Sequence, residues 1–200
     1  MTSRPAGVMR GIFLATALVV VLFPLVWVTL ASFKTPQQLN DPSLLFFLPS
    51  LDNWRFILDG GILEAAGRSA FVAGVTVGVS AIAGSAAAYV ISAYKAGGTL
   101  TRFGILAAQV LPPAVLVFPF LTIAYMTRTN DSLIPLIFAH LSFVLPVVTW
   151  FLIGFFDSVP RSLEEQARVD GFSRSKAFLL VVLPQVYPGL GAAIIFGFTL

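Results

Sequence analysis

The chain has no cysteine. Disulfides and thiolate metal sites are therefore excluded. It has a single histidine, His140, which leaves no histidine cluster to hold a metal. Charged residues make up only 10% of its 200 residues, against about 25% in an average soluble domain. No stretch reads Gly-x-x-x-x-Gly-Lys-Ser/Thr, so there is no P-loop. There is no catalytic triad, and the carboxylates lie in predicted loops or in one short polar helix. The chain therefore does not itself hydrolyse ATP. The formal net charge of +3 is small and spread across loops, which does not suggest nucleic acid.

What is abundant is apolar sequence. Hydrophobic residues reach 58% and mean hydropathy is +0.93. This is the composition of a polytopic membrane protein, here an all-α bundle of membrane-spanning helices. Residues 11–33 form a first uncharged run, too long for the apolar core of a secretory signal. Pro24 is expected to kink it, with Trp27 near its far interface. A polar, Pro- and Gly-containing segment follows over 34–66, with a short surface helix around Asn53-Trp54-Arg55-Phe56-Ile57. It includes Pro36, Pro42 and Pro49. The second span is placed at 69–94. Its small residues Gly74 and Gly78, then Ser80, Gly84, Ala88 and Ser92, recur every four positions. Such a ridge lets another helix approach closely in lipid. Lys95, Gly97, Gly98 and Arg102 read as a short basic loop.

A third span over 103–126 contains Gln109, Pro112, Pro113 and Pro119. Prolines free carbonyls from their helical partners, and broken backbone at depth is tolerated where it is buried in protein or lines a water-filled cavity. Gln109, Pro112 and Pro113 are thus candidates for part of a translocation path. The alternative is a structural kink, with Gln109 bonded to a neighbouring helix. A fourth span over 133–156 holds Pro135, Pro146 and His140. A proton relay there needs further ionisable partners at depth. The reading adopted is a hydrogen bond to a carbonyl or to a hydroxyl such as Ser142. An interfacial helix over 173–183, then a bend at Pro184 and Pro188, leads into a fifth span, and Leu200 still lies inside its apolar sequence.

Between the fourth and fifth spans lies Ser162-Leu-Glu-Glu-Gln-Ala-Arg-Val-Asp-Gly171. Ser162 and Glu165 have capping-box spacing. Glu164 and Arg168 are placed to pair along one side. Leu163 and Ala167 share an apolar face, and Gly171 suits a left-handed helix end. Glu165-Gln166-Ala167-x-x-Asp170-Gly171, with Leu183-Pro184 beyond, resembles the EAA loop of bacterial ABC importer permeases, with Gln166 where that family usually has alanine. An ordinary amphipathic connecting helix is the alternative. Ser32-Phe33-Lys34 and Asp52-Asn53-Trp54 are similar to the maltose-type carbohydrate subfamily; an interfacial aromatic anchor is the other reading of Trp54.

The resemblance implies a type I-like transmembrane domain, with a sixth span beyond the residues given. It divides the chain into an N-terminal helix and extracytoplasmic loop (1–66) and a permease core (67–200) with a coupling helix at about 162–171. Glu165, Gln166, Ala167, Asp170, Gly171, Leu183 and Pro184 are then the residues of ATPase docking and coupling. No cofactor is bound by the chain itself; ATP and magnesium belong to two partner ATPase subunits. A second homologous permease subunit, an extracytoplasmic solute-binding protein and membrane lipid are the other partners. The implied solute is a sugar or related polar compound, such as an oligosaccharide, amino sugar or glycerophosphodiester. With the N-terminus cytoplasmic in a bacterial inner membrane, the inner segments hold Arg4, Arg10, Lys95, Arg102, Arg161, Arg168, Arg174 and Lys176. The outer ones hold Lys34, Arg55, Arg68 and Arg128. Eight basic residues against four follows the positive-inside rule. The rival readings are an ion-coupled secondary transporter and a membrane scaffold or exporter subunit.

Overall fold

The protein is described by a computed structural model covering residues 4–41, 44 and 46–200, with backbone alone at 4–6 and 113. Pro42 and the side chain of Pro113, both named above, lie outside the described residues. All regular structure among these residues is helical. The chain forms two compact units, 1–67 and 68–200.

In the first unit, α1 (Arg4–Ala31) contains Pro24 without being ended by it. Its stretch Gly7–Ala31 is long and apolar enough to cross a membrane. Two short helices follow, α2 (Pro36–Leu39), closed by a Thr35–Gln38 capping box, and α3 (Asp52–Asp59). The words Ser-Phe-Lys and Asp-Asn-Trp, twenty residues apart, turn out to be two halves of one clasp. Asn53 Nδ2 donates to the carbonyls of Ser32 at 3.1 Å and Lys34 at 2.8 Å. The Phe33 and Trp54 rings meet at 5.9 Å, and Ser50 N–H bonds Phe33 O. Lys34 is only 5% exposed. Its ammonium donates to Leu44 O at 2.7 Å and lies over the rings of Trp27 and Phe47. A buried ammonium needs this combination of acceptor and ring faces to offset lost hydration.

Gly61, at φ +73°, turns the chain into α4 (Ile62–Tyr94). This helix starts earlier than residue 69. Ile62-Leu-Glu-Ala-Ala66 are helix formers with no proline to stop them. Thirty-three residues extend about 50 Å, well beyond a hydrocarbon core of about 30 Å.

In the second unit, α5 (Gly98–Val110) begins just after Gly97 at φ +68°. Arg102 is accordingly helical rather than in a loop. The third span is two helices, α5 and α6 (Pro113–Met126), turned by more than 40° at Leu111–Pro112. Both pack on α7 (Ile134–Asp157). The ridge on α4 divides. Ser80, Gly84 and Ala88 are buried, while Gly74 and Gly78 are exposed. Val77 of α4, Val144 and Val148 of α7, and Ala193 belong to one apolar core.

After α8 (Arg161–Val169) and α9 (Arg174–Ala177) comes a π-helical turn over Phe178–Val182. Pro184 explains it. Proline lacks an N–H and its ring crowds the carbonyl four residues back, so the turn widens and Leu183 N–H bonds Phe178 O. Then α10 (Leu183–Gln185) bends by 76° into α11 (Tyr187–Phe198). Among the described residues, three helices are long and apolar enough to span a membrane, or up to five if each bent pair is one span.

Candidate functional site

The polar island folds as α8, but it starts differently from the capping-box expectation. Pro160, at φ −62° and ψ 128°, occupies the N-cap and makes no side-chain cap bond. Ser162 is already inside the helix, so the box with Glu165 does not form. Proline fixes the entry, and Leu163 N–H bonds Pro160 O at 3.2 Å, one residue pair too early for a Ser162 cap. The Glu164–Arg168 pair does not form either, because Glu164 is engaged elsewhere. Its Oε1 accepts from the Tyr89 hydroxyl at 2.7 Å and from the Tyr94 hydroxyl at 2.9 Å. Both tyrosines lie on the last turns of α4.

The C-terminal end is as expected. Gly171 has φ +89°. Its N–H bonds Arg168 O at 3.1 Å, and Phe172 N–H bonds Ala167 O at 3.0 Å. These are the two bonds of a Schellman end.

The helix thereby presents two faces. Leu163 and Glu164 are half-buried and Ala167 is 6% exposed; this side meets the π turn. Ser162, Glu165, Gln166 and Val169 form the opposite stripe, at helical spacing, and all are exposed, Val169 at 88%. The predicted docking residues are therefore split. Glu165, Gln166, Asp170 and Gly171 face out. Ala167 faces in, and Leu183 and Pro184 are half-buried where the π turn ends.

Further polar contacts bind the same end of the bundle. Arg161, the first residue of α8, donates to the carbonyl of Ala93, with that of Ser92 at 3.4 Å. These are carbonyls of the last turn of α4, left without intrahelical partners, and they sit at the negative end of its dipole. Asp157, the last residue of α7, accepts from Ser92 Oγ at 2.6 Å. It also forms a two-pronged pair with Arg102 of α5, at 2.8 and 2.9 Å. That pair is more than a third exposed, so its worth is positional; exposed pairs contribute at most about 1 kcal/mol. Sequence spacing could not find these links, since their partners lie 55–75 residues apart.

The other candidates lie elsewhere. Gln109 is half-buried near the end of α5, and its Nε2 is buried with no hydrogen-bond partner among the described residues. The bond to a neighbouring helix is thus not made. Pro112 is at the break that follows. His140 is exposed and does not bond Ser142, whose hydroxyl donates to Ala139 O. His140 lines a cavity of about 200 Å³ together with Thr76, a buried threonine whose hydroxyl has no partner among the described residues.

Comparison with known proteins places this architecture. Over 195 residues the chain is 30% identical to a sulfoquinovosyl glycerol transport system permease protein of Agrobacterium fabrum, covering 93% of this chain and 67% of that one. It is 33% identical over 192 residues to a diacetylchitobiose uptake system permease protein of Streptomyces coelicolor, covering 90% and 61%. It is 29% identical over 179 residues to a trehalose transport system permease protein of Mycobacterium tuberculosis, covering 88% and 65%. The chain spans less than two thirds of the length of the last two relatives. A family model described as binding-protein-dependent transport system inner membrane component matches residues 80–200, a stretch that takes in the part of the α4 ridge from Ser80 onward, the broken third span and all of α8. On that match the chain belongs to the family of binding-protein-dependent transport system inner membrane components.

Proposed function

We propose that this chain is the permease subunit of an ATP-driven, binding-protein-dependent importer for a sugar or related polar solute. The observation that carries this reading is α8. It is a short helix with a defined end, fastened on one face and exposed on the other, in the stretch that the family shares. Its outer stripe of Ser162, Glu165, Gln166 and Val169 is a docking surface for one of two separate ATPase subunits. Those subunits hold ATP and magnesium. Their closure on ATP moves α8, and the bundle alternates between inward- and outward-facing forms. A second homologous permease subunit completes the path, and an extracytoplasmic binding protein delivers the solute. The relatives named for trehalose and diacetylchitobiose support the sugar class. Residues 1–66 supply the first span and an outer segment, and 67–200 the permease core.

The test is copurification. The full-length chain, tagged and extracted gently, is expected to bring down a P-loop ATPase. Hydrolysis by the reconstituted complex is expected to rise with sugar-loaded binding protein. An ion-coupled secondary transporter would bring no ATPase and would take up solute on an ion gradient without ATP; that result overturns the proposal.

Orientation follows from the same reading. Arg10 and α8 are cytoplasmic, in a bacterial inner membrane, and α2 and α3 are outside. Eight basic residues against four support it. Single cysteines at Gln37 and Ser162 are expected to react with an impermeant thiol reagent from opposite sides, Gln37 from outside. Labelling of both in intact cells would refute this topology.

A further inference from the structure

We infer that Glu164, rather than the motif residue Glu165, is the positioning residue through which movement of α8 reaches α4. This rests on the docking reading of α8.

Glu165 is exposed on the outer stripe. Glu164 points the other way, and its single Oε1 accepts from two tyrosine hydroxyls that are themselves 3.1 Å apart. Hydrogen bonds to an ionised acceptor are the strong ones. The tyrosines are not loose ends. Tyr89 is 7% exposed. Its ring packs at 4.5 Å on Phe178 of the π turn and at 6.0 Å on Phe156 of α7. Tyr94 is covered on one side by the Arg174 guanidinium, 5.4 Å from its ring centre. A displacement of Glu164 therefore pulls on side chains already wedged between α4, α7 and the π turn.

Apolar packing does not duplicate this link. Glu164 lies between two cavities. One, of about 260 Å³, is shared with Tyr89 and Phe156; the other, of about 360 Å³, is shared with Tyr94, Arg168 and Arg174. On this side α8 is held to α4 by directed bonds from Glu164 and Arg161, and not by close-fitting surface. Directed bonds transmit a pull only while they are made, so the link is selective. It can be cut without removing either the docking stripe or the Ala167 contact.

The test uses the full complex, with ATPase subunits and binding protein, in proteoliposomes. In Glu164→Ala, ATPase recovery on pull-down is expected to match the parent, because the outer stripe is intact. Solute uptake is expected to fall about tenfold, as for loss of hydrogen bonds to a charged group. Hydrolysis should continue but lose its dependence on loaded binding protein. The double variant Tyr89→Phe/Tyr94→Phe keeps both rings and is expected to behave the same way. Adding Glu164→Ala to it should cost less than a further twofold. Glu164→Gln keeps an acceptor oxygen at the same reach and should stay within about threefold of the parent. The inference is overturned if Glu164→Ala transports like the parent, if it releases the ATPase, or if its effect multiplies with that of the tyrosine pair. If the parent complex itself carries no ATPase, the docking reading fails, and this inference with it.

Discussion

Gly171→Val is expected to reduce both ATPase recovery and transport by about tenfold, with the chain still inserted in the membrane. The cost lies in the backbone. A Cβ at Gly171 would meet no atom within 4 Å, but φ is +89°. Left-handed backbone costs a residue with a β-carbon about 1–2 kcal/mol, and β-branched residues are true outliers there. At about 1.4 kcal/mol per factor of ten, that cost shifts the helix end about five- to thirtyfold toward the frayed form. The bonds lost are those from Gly171 to Arg168 and from Phe172 to Ala167. They fix the last turn of α8, including Val169 on its exposed stripe. Glu165→Lys separates this from a contact effect. That side chain is exposed, so ATPase recovery should fall while thermal unfolding in detergent stays at the parental midpoint. Parental recovery and uptake in both variants would remove α8 from the coupling path.

Gly84→Leu is expected to destabilise the packing of α4 against α7. A Cβ at this position would lie 3.1 Å from Thr149 Oγ1 and 3.4 Å from Val148 Cγ1, both on α7. Val148 is only 1% exposed and has no room to retreat. Leucine adds carbons beyond that Cβ, into side chains of the core. Overpacking of this kind costs about 1–3 kcal/mol, occasionally more. Within a membrane no water release compensates, because packing itself drives helix association. The expected result is low recovery of folded protein and a detergent unfolding midpoint lowered by about 5–10 °C, on the usual scaling of midpoint with stability. Gly74→Leu is the control for the isolated chain. Its Cβ would meet nothing within 4 Å, and its midpoint should be unchanged. Equal midpoints for Gly84→Leu and the parent would mean that the small-residue ridge does not hold α4 against α7.

The two results draw on different kinds of information. The ridge was legible because the helical period is local: residues four apart share a face whatever surrounds them. Which half of it met another helix was not, and Gly74 and Gly78 turned out to face away. Gly171 was legible for the same local reason, since a left-handed helix end favours glycine. The start of α8 departs from its sequence pattern: Ser162 and Glu165 have the spacing of a capping box, whereas the N-cap belongs to whichever residue the chain enters through, here Pro160.

Composition and period by themselves determined that this is a helical membrane protein, roughly where its spans lie, and that one capped amphipathic helix interrupts them. The physical reason is that lipid leaves every backbone group to be satisfied within its own segment, so the run of residues along the chain decides. Tertiary structure alone decided the partners. Asn53 closes on Ser32 and Lys34, Asp157 on Ser92 and Arg102, and Glu164 on two tyrosines rather than on Arg168. A polar side chain bonds to whatever unpaired group the packing of apolar faces brings within about 3 Å, and that proximity is set by helices distant in sequence.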